Sequence, residues 1–196
     1  VFAELPPPLH FDAIQSVARA CYVWLPQDKI INLEGRAQWD YQMIALPPTR
    51  SSSGWTMSSQ AHRGKEGRMK TNPGLLSTTP GATLELILDT RPAQASLGHH
   101  TQSAIRLEYL QSYDGMGRLG VTCTSGCECA GEVVDAHDAE AGRRVSVHAS
   151  RCYLVTAAKE CVLRLRLLEE STVPGAHKFV LHALQVLSSN RGGLCA

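Results

Sequence analysis

In the segment CVLRLRLLEE (161–170), Leu163 and Leu165 alternate strictly with Arg164 and Arg166. A period of two puts the leucines on one face of a strand and the arginines on the other; an amphipathic helix repeats its apolar positions every three to four residues instead. The same period recurs in ATLELILDT (82–90), where Leu84, Leu86 and Leu88 oppose Glu85. It returns in AIRLEYLQSY (104–113), where Ile105, Leu107 and Tyr109 oppose Arg106 and Glu108. Further strand-like stretches are CYVWLP (21–26), IINLEG, AQWDYQMIAL, GRLGVTCTSG, RRVSVHAS, CYLVTAA and HKFVLHALQVL, spaced by turn residues. The pattern supports no amphipathic helix of three turns; residues 11–20 are the one stretch compatible with a short helix. The chain therefore reads as all-β, an antiparallel β-sandwich of jelly-roll type.

The 196 residues suit one sizeable domain. Residues 1–15, with Pro6-Pro7-Pro8, read as an extended leader or linker, 16–188 as the sandwich and 189–196 as a C-terminal tail. Residues 49–72 are dominated by Ser, Gly, Lys and Arg and read as a long polar loop with Trp55 as its one large apolar anchor. Nineteen basic and 18 acidic residues give a net charge of +1, which supplies no electrostatic reason for a nucleic-acid partner. No apolar run reaches the roughly 18–20 residues of a membrane helix. The start at Val1, without a basic stretch or apolar core, is not a signal peptide and suggests a processed chain or a piece of a longer one.

Seven cysteines point to an oxidising compartment, hence to a secreted or cell-surface location. Cys123, Cys127 and Cys129 crowd into VTCTSGCECAGE (121–132), which can be a metal cup, a reactive thiol site or a covalent staple. A zinc site wants four ligands, usually as two knuckles, and no second knuckle follows. Cys127 and Cys129, one residue apart, face opposite ways on an extended strand. A redox Cys-x-x-Cys is also missing. Disulfide staples fit best, drawing on Cys21, Cys123, Cys127, Cys129, Cys152 and Cys161, with Cys195 expected to be the unpaired thiol; the connectivity stays open.

Nucleophilic catalysis needs Ser or Cys beside a histidine oriented by a carboxylate. Gly-x-Ser-x-Gly is absent, and Ser125 reads as a turn residue. DAHDAE (135–140) gathers Asp135, His137 and Asp138, a weak calcium candidate set against the commoner solvated loop. His99 and His100 are adjacent and so diverge on a strand; His148, His177 and His182 are scattered. Sugar-binding sandwiches stack exposed aromatic faces on pyranose rings while polar side chains grip hydroxyls. Trp24 and Trp39 lie in strand-like stretches and read as core. Trp55, in polar surroundings, is the expected exposed platform, and Tyr113, Asp114 and Arg118 flank the Gly115–Gly117 turn as candidate ligand contacts.

The segments PGATLELILDT, IRLEYLQSYDGMGRLGVTCTSGCEC, CVLRLRLLEE and HKFVLHAL, with CYVW and WDYQMI, together resemble a β-rich domain of plant and green-algal proteins. In those proteins the domain follows an SGNH (GDSL-type) hydrolase domain. The resemblance covers most of residues 20–187, and its most specific part is the Tyr-x-x-Ser-Tyr-x-x-Met-Gly segment entering the cysteine cluster. It implies an accessory domain in a secreted or cell-surface setting. The hydrolase's Gly-Asp-Ser block and Asp-x-x-His pair are missing, so no catalytic role carries over. The expectation is a non-catalytic extracellular module without a cofactor, binding a wall or matrix glycan or a neighbouring protein chain. The alternative is the accessory domain of an SGNH-type esterase or acyltransferase whose catalytic part lies outside these residues.

Overall fold

The computed structural model describes residues 16–24, 44–45, 48–58, 61–63, 69–71, 74–92, 102–139, 144–189 and Cys195. The strands are β1 (Ser16–Val23), β2 (Ile44–Ala45), β3 (Thr49–Ser53), β4 (Thr56–Ser58), β5 (Ala61–Arg63), β6 (Met69–Thr71), β7 (Gly74–Ser77), β8 (Thr83–Leu88), β9 (Gln102–Ser112), β10 (Arg118–Ser125), β11 (Glu132–Asp135), β12 (Ser146–Val155), β13 (Cys161–Leu167) and β14 (Phe179–Ser189). The first sheet runs β12-β9-β14-β1-β2, with β7 also on β14 and β4 on β7; the second runs β11-β10-β13-β8-β3. From β7 onward the eight strands interleave as β7-β14-β9-β12 in one sheet and β8-β13-β10-β11 in the other. This is the jelly-roll wiring: from β7 onward each strand crosses to the other sheet from its predecessor, except β11, which pairs with β10.

The alternation read from sequence builds the core. Leu84, Leu86 and Leu88 of β8 and Leu163, Leu165 and Leu167 of β13 are buried against Ile105, Leu107 and Tyr109 of β9 and Leu184 and Val186 of β14. Register pairs Leu163 with Leu86 and Leu165 with Leu84, so the leucines stack across the sheet. At about 1.5–3 kcal/mol per buried side chain, those six leucines contribute on the order of 10 kcal/mol, comparable with a whole domain's net stability. On the opposite face Arg164 pairs in register with Glu85 and donates Nε to its carboxylate at 2.8 Å.

Two expectations for chain organisation change. Residues 16–23 form β1, a strand and not part of a helix, paired along β14. The stretch 49–72 carries β3 to β6. All five residues of β3 (TRSSS) are exposed, because it is the edge of the second sheet, and there the neighbouring backbone of β8 supplies the hydrogen bonds without any apolar face.

Three disulfides close the described part: Cys123–Cys129, Cys127–Cys161 and Cys152–Cys195. Cys21 and Cys195 exchange the roles expected of them. Cys21 keeps a free thiol, since it sits on β1 in the same row as Gln185, Arg106 and Cys152, three strand spacings or about 14 Å from Cys152. Burial, with Glu108 adding to it, raises the Cys21 thiol above its ordinary pKa. Cys195 instead returns to Cys152 and ties the chain's end to β12.

Candidate functional site at one end of the sandwich

Because the chain reverses direction at each connection from β7 onward, alternate connections emerge at the same end. The connections 113–117 and 168–178, the described parts 136–139 and 144–145 of the one between β11 and β12, and 78–82 share one end; the cysteine cluster lies at the other. Backbone hydrogen bonds lace three of them together. Gly117 N–H donates to Lys178 O at 2.8 Å, and Lys178 N–H returns to Gly115 O at 2.9 Å. On the other side Ala136 N–H donates to Gly117 O, Ser112 N–H to Ala136 O and Asp138 N–H to Ser112 O. Gly117 has no room for a side chain there: a Cβ would lie 2.9 Å from His177 Cα. Met116 is buried beneath the layer and anchors it to the core.

This lattice brings together most of the sequence-derived candidates. Tyr113 is 44% exposed at the tip of 113–117, with exposed Asp114 beside it. Arg118 opens β10 and pairs in register with Asp135, which ends β11. The Nε of Arg118 is buried without a hydrogen-bond partner, as are Nδ1 of His137 and Nδ1 of His177. These three nitrogens, each on a different connection or strand end, lie beneath the surface of this end. Val145 and Val173 are exposed on connections at the same end.

The calcium reading of Asp135, His137 and Asp138 is not what the geometry builds. One oxygen of Asp135 accepts the His137 backbone N–H at 2.9 Å, and the other accepts the Thr172 hydroxyl. The carboxylate is thus spent on shaping its own turn and gripping the 168–178 connection. Among the described residues the ligand atoms that converge within metal-sized reach are those of Cys123, Cys127 and Cys161.

Trp55 is the second correction: it is 8% exposed and belongs to the core, as does Trp24. Gly54, at φ 74°, packs against Ala82 and turns the chain so that the indole points inward. Trp39, Tyr41, His99 and His100 lie outside the described residues. Ser125 sits at the far end, in a groove with Arg50, Lys159 and Glu160 and without a histidine. Sequence reasoning set His177 aside as scattered and passed over Thr172, Val145 and Val173, because only the topology carries them to this end.

No protein-family model matches the chain, and no curated protein matches it. Among solved structures it is similar to a carbohydrate-binding CBM36-1 domain of a multidomain xylanase from the hindgut metagenome of Trinervitermes trinervoides, at 8% identity and TM-score 0.36 over 69% of this chain and 96% of that one. A β-1,3-glucan-binding CBM6 from Bacillus halodurans matches at 10% identity and TM-score 0.34, over 74% and 90%. A family two carbohydrate esterase from Cellvibrio japonicus matches at 12% identity and TM-score 0.32, over 72% of this chain and 32% of that chain. The chain thus spans about a third of the esterase's length. Likeness at these levels transfers no ligand, activity or site.

Proposed function

We propose that this chain is a non-catalytic β-sandwich module that binds a wall or matrix glycan at the laced end of the sandwich. The observation that carries the reading is the exposed pair Tyr113 and Asp114 on this backbone-laced end, with part-exposed Arg118 at the start of β10. An exposed ring offers a face for the C–H side of a pyranose, while the exposed Asp114 and the part-exposed Arg118 side chain meet its hydroxyls. Three disulfides favour a secreted or cell-surface setting.

Affinity electrophoresis through gels holding individual wall and matrix polysaccharides tests this. At least one polysaccharide retards the native chain, and Arg118→Gln loses that retardation. Retardation by none of them, with a specific protein partner recovered instead, favours the assembly reading. A second reading rests on the Tyr-x-x-Ser-Tyr-x-x-Met-Gly segment, Tyr109 to Gly117 here. Under it the module accompanies an SGNH-type esterase or acyltransferase and brings that domain to its polysaccharide. A full-length transcript with a Gly-Asp-Ser block upstream of Val1 supports it; one without that block removes it.

A further inference from the structure

We propose that the sulfurs of the two hairpin bridges form, once reduced, a binding site for one thiophilic divalent cation of the zinc class. The Sγ atoms of Cys123, Cys127 and Cys161 lie within 4.8 Å of one another, and Cys129 is bonded to Cys123. A tetrahedral thiolate site with Zn–S near 2.3 Å spaces its sulfurs about 3.8 Å apart. Small rotations of the freed side chains would bring three sulfurs to that spacing, with Cys129 available as the fourth. The sequence shows no second cysteine knuckle; the missing ligand arrives from β13 as Cys161.

Contacts other than the bridges also hold the backbone that carries these sulfurs. β10 pairs with β13 through Cys123 with Leu163 and Ser125 with Val162. Thr156 N–H donates to Glu128 O at 3.0 Å, and Glu128 N–H to the Thr156 hydroxyl at 2.8 Å. Cys129 forms a β-bridge with Val155. The turn at Gly126 lies against the Glu160 carbonyl so closely that a Cβ would come within 1.8 Å of it. Breaking both bridges therefore leaves the thiols gathered, which is the preorganisation a metal site needs. Arg50 and Lys159 line the groove beside Ser125 and Gly126, together with Glu160.

Each bridge is cleaved to two thiols either by two reductant thiols, which give two electrons and two protons and become a disulfide, or by a phosphine, which gives the electrons and becomes its oxide while water gives the oxygen and the two protons. The cation then displaces their protons into solvent as the metal–sulfur bonds form. Under oxidising conditions the same sulfurs are covalent staples.

The test uses the full chain carrying Cys152→Ser and Cys195→Ser, with Cys21 alkylated while the hairpin bridges are intact. It is then reduced anaerobically with a phosphine, desalted and titrated with Co²⁺ and Zn²⁺. The expected result is one equivalent of Co²⁺ showing thiolate-to-metal charge transfer and tetrahedral d–d absorption, displaced by Zn²⁺. Zinc should also raise the thermal midpoint of the reduced chain and leave that of the oxidised chain unchanged. Adding Cys123→Ser should weaken cobalt binding by more than the ~10–100-fold that a lost outer-shell partner costs. Cobalt binding no tighter than in the Cys123→Ser, Cys161→Ser variant overturns the proposal. If reduction unfolds the chain, the readout becomes near-UV circular dichroism: its recovery on adding Zn²⁺ supports the site, and failure to recover overturns it.

Discussion

Gly126→Ala isolates how the cysteine hairpin is held. Gly126 and Gly81 share a left-handed backbone, φ 78° and 79°. An alanine at either position bears the same conformational penalty, about 1 kcal/mol. They differ in their surroundings: a Cβ at Gly81 meets nothing within 4 Å, whereas at Gly126 it falls 1.8 Å from the Glu160 carbonyl oxygen. That carbonyl belongs to the backbone entering β13, so the hairpin has to lift. Lifting breaks the two hydrogen bonds between Glu128 and Thr156, each contributing about 1 kcal/mol. The expected losses are about 1 kcal/mol for Gly81→Ala and about 3 kcal/mol for Gly126→Ala. Urea unfolding with the disulfides intact measures both. With a slope near 2 kcal/mol/M, the midpoint should fall by about 0.5 M and about 1.5 M, with the slope unchanged. Equal midpoint shifts for the two variants would refute the argument, because they would mean that the hairpin does not rest on Glu160.

Three further outcomes follow from the same geometry. The Tyr153 hydroxyl is buried without a partner, so Tyr153→Phe should stabilise the chain by about 1 kcal/mol in the same assay; destabilisation would mean the hydroxyl is bonded. The hydrogen bond from the Arg91 side chain, with Arg19 adding to it, holds the Asp89 carboxyl at about 2 against an ordinary 3.8. A lowered pKa contributes stability that is complete above about pH 4 and lost as pH falls towards 2, so Asp89→Asn should flatten the acid limb of the unfolding midpoint across that window. Non-reducing peptide mapping should recover Cys123–Cys129, Cys127–Cys161 and Cys152–Cys195, with Cys21 alone alkylated before reduction.

The inward faces of β8, β9 and β13 were legible because one face of each strand meets the core and the other meets solvent, which writes a period of two into the chain. β3 was not, since an edge strand exposed on both faces needs neither apolar residues nor alternation. Trp55 was misplaced for a related reason: its neighbours are polar, but burial is decided by the turn at Gly54 and not by flanking composition. The opposed facing of Cys127 and Cys129 was readable, and they do take different partners, Cys161 and Cys123. Which partner depends on register across β10 and β13, a property of the assembled sheet. The Tyr-x-x-Ser-Tyr-x-x-Met-Gly segment is mostly architecture. Tyr109 and Met116 are core, Ser112 pairs with the Ser146 hydroxyl at 2.8 Å, and Gly117 admits the His177 backbone. Tyr113 alone among its named positions stands exposed, so such a segment speaks for fold more than for ligand.

The laced end as a glycan site is tested most directly by calorimetric titration of the native chain, Tyr113→Ala and Ile87→Ala with a polysaccharide that retards the chain. Ile87 is exposed on the outer face of the second sheet, at the groove by the cysteine cluster and away from Tyr113. A stacking contact contributes about 0.5–1.5 kcal/mol, so Tyr113→Ala should weaken binding up to about tenfold, with Ile87→Ala unchanged. Undiminished affinity in Tyr113→Ala, or equal loss in both variants, would contradict a site at this end of the sandwich.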